Sequence, residues 1–270
     1  MLELKNIYKT FNPGTINEKR ALNGLNLKLN EGDFVTVIGG NGAGKSTMLN
    51  AVAGTWPVDE GQILIDNIDV TKLSEHKRAT YLGRVFQDPM TGTAATMGIE
   101  ENLALAKRRG KSRLLRSGIT KAEREEYKEL LKILGLGLED RLTSKVGLLS
   151  GGQRQALTLL MATLQKPKLL LLDEHTAALD PKTAAKVLEI TDMIVNRDHL
   201  TTLMITHNMK DAIAHGNRLI MMMEGKIILD IQGEEKKQLT VKNLLDQFEK
   251  QAEKSSVMTL HCSDNRINYS

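Results

Sequence analysis

The stretch Gly39-Gly40-Asn41-Gly42-Ala43-Gly44-Lys45-Ser46-Thr47 decides how the rest of this chain is interpreted. It satisfies the pattern G-x-x-x-x-G-K-[S/T], and it stands between an apolar run, Phe34 to Ile38, and a helical run that stops at Gly54. Because glycines lack a Cβ, such a backbone can curl and point its N–H groups inward at an anion. The pattern therefore predicts a strand, a phosphate-binding loop and a helix.

Two side chains of this loop have predicted tasks. The helix that begins near Lys45 points the positive end of its dipole at the same phosphates. We expect the Lys45 ammonium to reach the β- and γ-phosphates of a nucleotide, and the Ser46 hydroxyl to bind Mg²⁺. With 22 glycines in 270 residues, all four fixed positions would coincide by chance on the order of a per cent of the time. The stretch alone therefore predicts nucleotide binding.

Composition limits the class of protein. A hydrophobic content of 41% is ample for a buried core, and apolar runs such as Leu219 to Met223 are far shorter than the roughly 20 residues of a membrane span. We expect no targeting segment at the N-terminus, and the single cysteine, Cys262, excludes an intramolecular disulfide. A net charge of +4 is too small to argue for a nucleic-acid partner.

A pair of carboxylates follows another apolar run. Lys168 to Leu172 has the pattern of a parallel strand buried on both faces, and it delivers Asp173 and Glu174 at its carboxyl end. Buried charges are costly unless something pairs with them, and Mg²⁺ with ATP supplies that partner. We interpret Asp173 as the carboxylate on the Mg²⁺ side and Glu174 as the group that activates or orients the attacking water.

Gln87 and His207 follow two more strands, predicted over Tyr81 to Phe86 and Thr201 to Thr206. If the strands are parallel, both side chains lie at the same edge of the sheet as Asp173. A glutamine there can reach a metal or a water, although a solvated loop glutamine is the more common case. A histidine at a strand end is usually a surface residue, so the residues alone leave both alternatives open.

A second predicted anion site lies at Leu149-Ser150-Gly151-Gly152-Gln153, which opens another helix. Ser150 is well placed as the N-cap, and the free N–H groups of this helix start can accept an anion. The alternative is a capped helix without a ligand. Two anion-accepting helix starts in one chain favour the first interpretation.

Residues from about 90 to 165 have a helical composition and are the candidate for an inserted helical subdomain. Thr120 to Glu123 has the spacing of a capping box, which predicts a helix start there. Six cations fall within ten residues of this segment and fit either a solvated helix face or contact with an anionic membrane surface. They are Lys107, Arg108, Arg109, Lys111, Arg113 and Arg116.

The alternating runs Glu3 to Tyr8 and Leu22 to Leu29 predict an antiparallel β layer before the loop. Phe11 lies beside the turn between them, where a ring can stack on an adenine, although packing is the more common fate of a phenylalanine. The predicted fold class is therefore α/β, with a P-loop core, a mainly parallel sheet, an N-terminal antiparallel layer and a helical subdomain. We expect residues 1–253 to form this domain and residues 254–270 to be a poorly ordered polar tail.

Taken together, these motifs resemble the ATP-binding subunit of an ABC transporter over roughly residues 1 to 232, and Leu149 to Gln153 distinguishes that family from other P-loop proteins. The resemblance implies that Phe11 stacks on adenine. The nucleotide-binding residues that it implies are Phe11, Gly39, Asn41, Gly42, Ala43, Gly44, Lys45, Ser46, Thr47, Ser150, Gly151, Gly152, Gln153 and Asp180. The implied catalytic residues are Glu174, His207 and Gln87, and the implied metal ligands are Ser46, Gln87 and Asp173. His175 departs from the family, because many members have proline after the catalytic glutamate.

The resemblance also implies a head-to-tail dimer, in which Ser150 and Gly152 of one subunit close over the γ-phosphate that Lys45 of the other holds. A single cassette is similar to importer subunits, especially those of amino-acid uptake systems. We therefore expect ATP hydrolysis that powers uptake, membrane permease partners, a separate substrate-binding protein, and a peripheral position on the cytoplasmic face of the cell membrane. We expect no direct nucleic-acid contact. The alternatives are an exporter ATPase, or a non-transport ABC ATPase acting on ribosomes or DNA, whose relatives usually carry two cassettes or a long coiled coil.

Overall fold

The structure is a computed structural model that describes residues 1–110 and 118–250. Its elements in chain order are β1 (Leu2–Phe11), β2 (Lys19–Leu29), β3 (Phe34–Gly39), α1 (Lys45–Ala53), β4 (Glu60–Ile65), β5 (Ile68–Asp69), α2 (Glu75–Arg78), β6 (Leu82–Val85), α3 (Ile99–Lys107), α4 (Lys121–Lys132), a 3-10 turn (Val146–Leu148), α5 (Gly151–Thr163), β7 (Leu169–Asp173), α6 (Pro181–Asp198), β8 (Thr201–Ile205), α7 (Met209–Ala214), β9 (Arg218–Met223), β10 (Lys226–Gln232) and α8 (Gly233–Lys237). A final helix covers residues 241–250.

Six strands form the central sheet in the order β10-β9-β3-β8-β7-β6. Strands β9, β3, β8, β7 and β6 run parallel to their neighbours, and β10 joins antiparallel to β9. Their runs are nearly continuously apolar because a parallel sheet is covered on both faces. Nearly every residue of β3, β7 and β8 is accordingly buried. The predicted P-loop core with a mainly parallel sheet is confirmed.

A second sheet has the order β2-β1-β4-β5 and is antiparallel throughout. This confirms the predicted N-terminal antiparallel layer. The turn between β4 and β5 consists of Asp66 and Asn67, with φ values of 54° and 63°. Both residue types tolerate the left-handed conformation that a two-residue hairpin turn requires.

The parallel order places four motifs at one edge of the central sheet, because parallel strands end on the same side. The phosphate-loop stretch follows β3, and Asp173 is the last residue of β7. Gln87 lies two residues beyond β6, and His207 lies two residues beyond β8. In the structure, these strand ends therefore converge at one edge of the central sheet, as predicted.

Helices α3, α4 and α5 lie within the predicted subdomain segment of about residues 90 to 165 and share a hydrophobic core. The predicted capping box begins α4: the Thr120 hydroxyl accepts from the Glu123 N–H at 3.2 Å, and the Glu123 carboxylate accepts from the Thr120 N–H at 2.8 Å. The two bonds satisfy N–H groups that have no partner inside the helix.

Three of the six cations between Lys107 and Arg116 are among the described residues, and each contacts another part of the chain. Lys107 pairs with Glu126, and Arg108 lies 3.3 Å from the carboxylate of Glu123. Arg109 donates to the Ala162 carbonyl at 3.4 Å. For these three residues, the contacts favour the interpretation as a solvated helix face over the interpretation as a contact with an anionic membrane surface. The other three cations, Lys111, Arg113 and Arg116, lie outside the described residues.

One long helix is absent from the sequence-based prediction. The sequence predicts only a turn over Ala177 to Pro181, but the structure continues directly into α6, which has 18 residues. Asp180 is its N-cap and Pro181 its first helical residue, the pairing typical of a helix start. That signal was present in the sequence.

The C-terminal part of the described chain packs on the central sheet through Leu244, which lies with Ile38 and Leu219 in a small apolar cluster. The predicted tail, residues 254–270, lies outside the described residues. In the described ranges, 1–110 and 118–250, every helix is too short or too polar to cross a bilayer.

Candidate nucleotide site

Within the phosphate-loop stretch, residues 41–47 line one side of a cavity of about 270 Å³, whereas Gly39 and Gly40 are not among its lining residues. Gly42 and Gly44 have φ values of 79° and 101°, which residues with a Cβ rarely adopt. A Cβ on Gly44 would lie 2.5 Å from the carbonyl oxygen of Ala21, so the loop needs glycine there. The cavity is lined by Phe11, Lys19, Ala21, Asn41, Gly42, Ala43, Gly44, Lys45, Ser46, Thr47, Glu174 and His207.

Lys45 is the buried cation of this cavity. Its ammonium donates to the carbonyl oxygens of Gly39 at 2.7 Å and Gly40 at 3.2 Å. Burial lowers the pKa of Lys45, and the carboxylates of Glu174 and Asp173 oppose that shift. Its hydrogen-bond acceptors are neutral, so an anion bound beside the ammonium would offset the cost of burying its charge.

Glu174 and His207 meet at the same cavity, where Glu174 Oε1 lies 2.6 Å from His207 Nε2. The Glu174 side chain is 10% exposed and the His207 side chain 48%. The backbone of Glu174 has a φ of 47°, and its N–H donates to the Ile205 carbonyl at 3.0 Å. A left-handed conformation at a residue other than glycine costs of order 1 kcal/mol or more and is concentrated at functional sites.

Asp173 is tied to the phosphate-loop helix through Arg84. The Arg84 guanidinium lies 3.6 Å from the Asp173 carboxylate and donates to Asn50 Oδ1 of α1 at 2.8 Å. Burial raises the pKa of Asp173, although Arg84, Lys45 and His207 oppose the shift. Arg84 is absent from the residues that the sequence singles out, and its one signal is a cation inside an otherwise apolar strand.

Gln87 lines a different cavity, of about 390 Å³, together with Asp173 and Thr91. The three residues predicted to hold a metal, Ser46, Gln87 and Asp173, are therefore divided between two cavities. Their hydroxyl, carboxamide and carboxylate oxygens are hard ligands of the kind Mg²⁺ prefers. Mg²⁺ usually takes few protein ligands because phosphates and waters supply the others. The donor set therefore fits Mg²⁺ that is bound together with a nucleotide. Within residues 1–110 and 118–250, no cluster of three or more His, Cys, Asp or Glu side chains offers another metal site.

The predicted second anion site is a capped helix start. The Ser150 hydroxyl accepts from the Gln153 N–H at 3.3 Å, and Gln153 Oε1 accepts from the Ser150 N–H at 3.2 Å. Gly152 has a packing role, since a Cβ there would lie 2.1 Å from the Thr183 methyl group of α6. Ser150 and Gly151 are exposed.

Asp180 is exposed, and its carboxylate accepts from the Thr183 N–H at 3.1 Å. Hydrogen bonds from the Thr183 side chain and then from its backbone lower the pKa of Asp180. Ser150, Gly151, Gly152, Gln153 and Asp180 are all among the described residues, yet none of the five lines either cavity. One chain by itself therefore brings together only part of the predicted nucleotide site.

His175 follows Glu174 and is buried against α6. Its Nε2 lies 3.1 Å from the Thr191 hydroxyl, which itself donates to the Val187 carbonyl at 2.8 Å. The hydroxyl proton is therefore used, so His175 donates through Nε2–H. Burial, with a smaller contribution from His215, lowers the pKa of His175 to about 4. A buried hydrogen bond thus anchors the turn at which many members of the family that this sequence resembles have proline.

The pKa of His175 predicts a pH-dependent stability. The unfolded chain takes up a proton at this residue near pH 6.5, whereas the folded chain does so only near pH 4, so stability falls as the pH falls through this window. The full effect is roughly 3 kcal/mol. We expect His175→Gln, which keeps a donor but does not titrate, to lose less stability than the wild type between pH 7 and pH 4.5 in urea unfolding. The exposed His76→Gln is the control, and equal losses in all three chains would contradict this account.

The matches to a protein family and to individual known proteins agree with one another. The model of the ABC transporter family matches residues 22–177. A tyrosine transport ATP-binding protein of Clostridioides difficile (strain R20291) is 46% identical over 250 residues, which cover 92% of this chain and 99% of that protein. A phosphonates import ATP-binding protein of Lactobacillus delbrueckii subsp. bulgaricus is 30% identical over 90% of this chain and 94% of that protein. A methionine import ATP-binding protein of Bartonella henselae is 34% identical over 84% of this chain and 64% of that protein.

Among solved structures, the dimeric ATP-binding cassette MJ0796 in a post-hydrolysis state, bound to ADP and Pi, superposes with a TM-score of 0.73. The two sequences are 32% identical, and the match covers 86% of this chain and 98% of the other. The ADP conformation of MJ1267, an ATP-binding cassette of an ABC transporter, superposes with a TM-score of 0.74 at 27% identity, over 92% of this chain and 98% of that one.

Proposed function

This chain belongs to the ABC transporter family, and we propose that it is the ATP-hydrolysing subunit of an uptake system that works through a separate membrane permease. The observation that carries the proposal is the cavity in which the phosphate loop, Lys45, Glu174 and His207 meet. The three relatives compared above are named as transport or import ATP-binding proteins, which supports uptake. Two of them are named for tyrosine and methionine, so we propose an amino acid as the substrate class.

In the proposed reaction, the loop N–H groups and the Lys45 ammonium bind the phosphates of ATP, and the Phe11 ring stacks on the adenine. The water oxygen bonds to the γ-phosphorus as the bond to the β-phosphate oxygen breaks, and Glu174 accepts the proton of the water. His207, at 2.6 Å from Glu174, holds that carboxylate in place. Ser46, Asp173 and Gln87 are the residues that would hold Mg²⁺, which when bound neutralises phosphate charge.

We further propose that a second copy of the chain completes each site. Ser150 and Gly152 stand at a helix start outside the Lys45 cavity, and the start of a helix attracts anions. In a head-to-tail dimer, the Ser150 helix start of one copy and Asp180 beside it would face the nucleotide held by the other. The dimeric cassette with ADP and Pi at 32% identity supports this arrangement.

The proposed contact with the permease lies beside Gln87. Met90 is 48% exposed and Leu148 is 72% exposed, which is unusual for large apolar side chains. The loops that carry them are joined, because the Gly147 N–H donates to the Ala95 carbonyl at 2.8 Å. Gln87 lies in the loop that leads to Met90, so we propose that a movement of Gln87 on nucleotide binding reaches this surface. We propose that the surface around Met90 and Leu148 docks on an integral membrane permease and that a separate substrate-binding protein delivers the substrate. The chain would then sit peripherally on the cytoplasmic face of the cell membrane, without direct nucleic-acid contact.

Cysteine crosslinking in intact membranes tests this function. In a variant with Cys262→Ser, we expect the exposed position Thr96→Cys to crosslink to an integral membrane protein, because it lies on the proposed docking surface. Ile16→Cys is the matched control, since Ile16 is fully exposed in the turn between β1 and β2. Crosslinks from position 96 to ribosomal or DNA-associated proteins only would contradict the uptake function.

A further inference from the structure

Phe11 is the aromatic residue at the wall of the proposed nucleotide cavity. It ends β1, and its ring lines the phosphate-loop cavity together with Lys19. An aromatic ring at the wall of a nucleotide cavity can stack on a base through its π face. Stacking needs the ring to be held in one orientation, so the residues that hold Phe11 bear on how strongly the base is bound.

Trp56 packs directly on Phe11. The two ring centroids are 5.0 Å apart and the ring planes meet at 81°, the edge-to-face arrangement that aromatic pairs favour. Lys9 contributes a further contact, with its ammonium 5.7 Å from the Phe11 centroid. Trp56 is not among the described residues that line the cavity, so it contacts the ring without lining the space for the nucleotide.

The connector that carries Trp56 is tied to the phosphate-loop helix at one end. Gly54 ends α1 in the left-handed conformation, and the N–H groups of Thr55 and Trp56 both donate to the Asn50 carbonyl, at 3.0 and 3.4 Å. Trp56 is thereby held against the last turn of the helix whose first turn carries Lys45 and Ser46.

The same connector is tied to β1 at its other end. The Asp59 carboxylate accepts from the Lys9 ammonium at 2.9 Å and from the Thr10 N–H at 2.6 Å. Lys9 and Thr10 immediately precede Phe11. Residues 54–59 therefore link the helix that would hold the phosphates to the ring that would hold the base, and Trp56 is the side chain that spans the gap.

We propose that Trp56 is a positioning residue that orients Phe11 for stacking on adenine, and that it sets how strongly the site prefers ATP to a bare polyphosphate. This inference rests on the proposed function. It concerns recognition of the base, because Trp56 holds the base-stacking ring, whereas the phosphate contacts come from the loop and Lys45.

Two substitutions separate this role from ordinary packing. We expect Trp56→Leu to weaken ATP binding about tenfold and inorganic tripolyphosphate binding less than twofold, because the loop is retained and the ring orientation is lost. Trp56→Phe should bind ATP like the wild type, since a ring remains to brace Phe11. Calorimetric titrations of both ligands in the presence of Mg²⁺ measure the difference. If Trp56→Leu binds ATP as the wild type does, or loses both ligands equally, the proposal is wrong. Failure of the wild type itself to bind ATP would instead refute the proposed function.

Fluorescence gives a second readout that does not depend on a stable Trp56→Leu variant. Trp56 is the single tryptophan of the chain, so emission excited at the red edge of tryptophan absorption, where the four tyrosines do not absorb, reports this residue alone. We expect saturating ATP to change the emission of the wild type, tripolyphosphate to leave it nearly unchanged, and Phe11→Leu to reduce the ATP response. Equal responses to ATP in the wild type and in Phe11→Leu would overturn the proposal.

Discussion

Glu174→Gln is expected to lower ATP turnover by about 100-fold or more, with little change in ATP affinity. The carboxamide cannot accept a proton from the attacking water, yet it has the shape of the carboxylate and can still contact His207, 2.6 Å from Glu174 in the wild type. Phosphate release at saturating ATP measures the loss. Glu189→Gln is the matched control, because Glu189 is an exposed acid of α6 that pairs with Lys186.

Near-normal turnover of Glu174→Gln would show that another group accepts the proton. Asp173 is one alternative, because burial raises its pKa and makes it a stronger base than an exposed aspartate. His207 is the other, since its imidazole lines the same cavity. Asp173→Asn and His207→Ala in the same assay would identify which of them acts.

Lys45→Ala is expected to weaken ATP binding by roughly 100-fold, because a charge-assisted hydrogen bond to the phosphates is lost. The loop N–H groups remain, but they cannot neutralise phosphate charge alone. Titration with a fluorescent ATP analogue measures the affinity. The control Lys210→Ala removes an exposed cation at the start of α7 and should bind normally. Unchanged affinity in Lys45→Ala would place the nucleotide elsewhere.

Loss of Lys45 also removes its bonds to the Gly39 and Gly40 carbonyls, so loop disorder is a competing explanation for weaker binding. Lys45→Met retains the packing of the apolar stem but, like Lys45→Ala, lacks the ammonium with its charge and its bonds to the two carbonyls, so comparing the two variants shows how far the packing of the stem supports the loop. If both variants lose affinity equally and unfold at the wild-type temperature, the charge is responsible. Recovery of most of the affinity in Lys45→Met would point to the shape of the loop instead.

Much of the fold could be predicted because its signals are local. The phosphate loop needs glycine at fixed spacing, as at Gly44, where a Cβ would meet the Ala21 carbonyl. Continuous apolar runs indicate parallel strands, and parallel strands bring Asp173 and His207 to one edge without any knowledge of their contacts. The Thr120 and Ser150 helix starts depend on residues only three positions apart.

The rest could not be predicted because it depends on contacts between distant parts of the chain. Arg84 reaches Asn50, and Phe11 meets Trp56 across 45 positions of sequence. His175 is buried by α6, a helix that was missed, so its hydrogen bond to Thr191 had no basis in the sequence-based prediction. The separation of Gln87 from the Lys45 cavity likewise depends on side-chain packing rather than on strand order.

The most direct test of the central claim, that two copies of this chain share each ATP site, is the mass of Glu174→Gln with and without ATP and Mg²⁺. Light scattering after size-exclusion chromatography should show a monomer without ATP and a dimer with it, because the bound ATP persists when hydrolysis is blocked. Adding Ser150→Arg, at an exposed position outside the Lys45 cavity, should abolish the dimer while each chain still binds ATP. A Glu174→Gln chain that binds ATP and stays monomeric, or an equally stable dimer with arginine at position 150, would contradict the shared site.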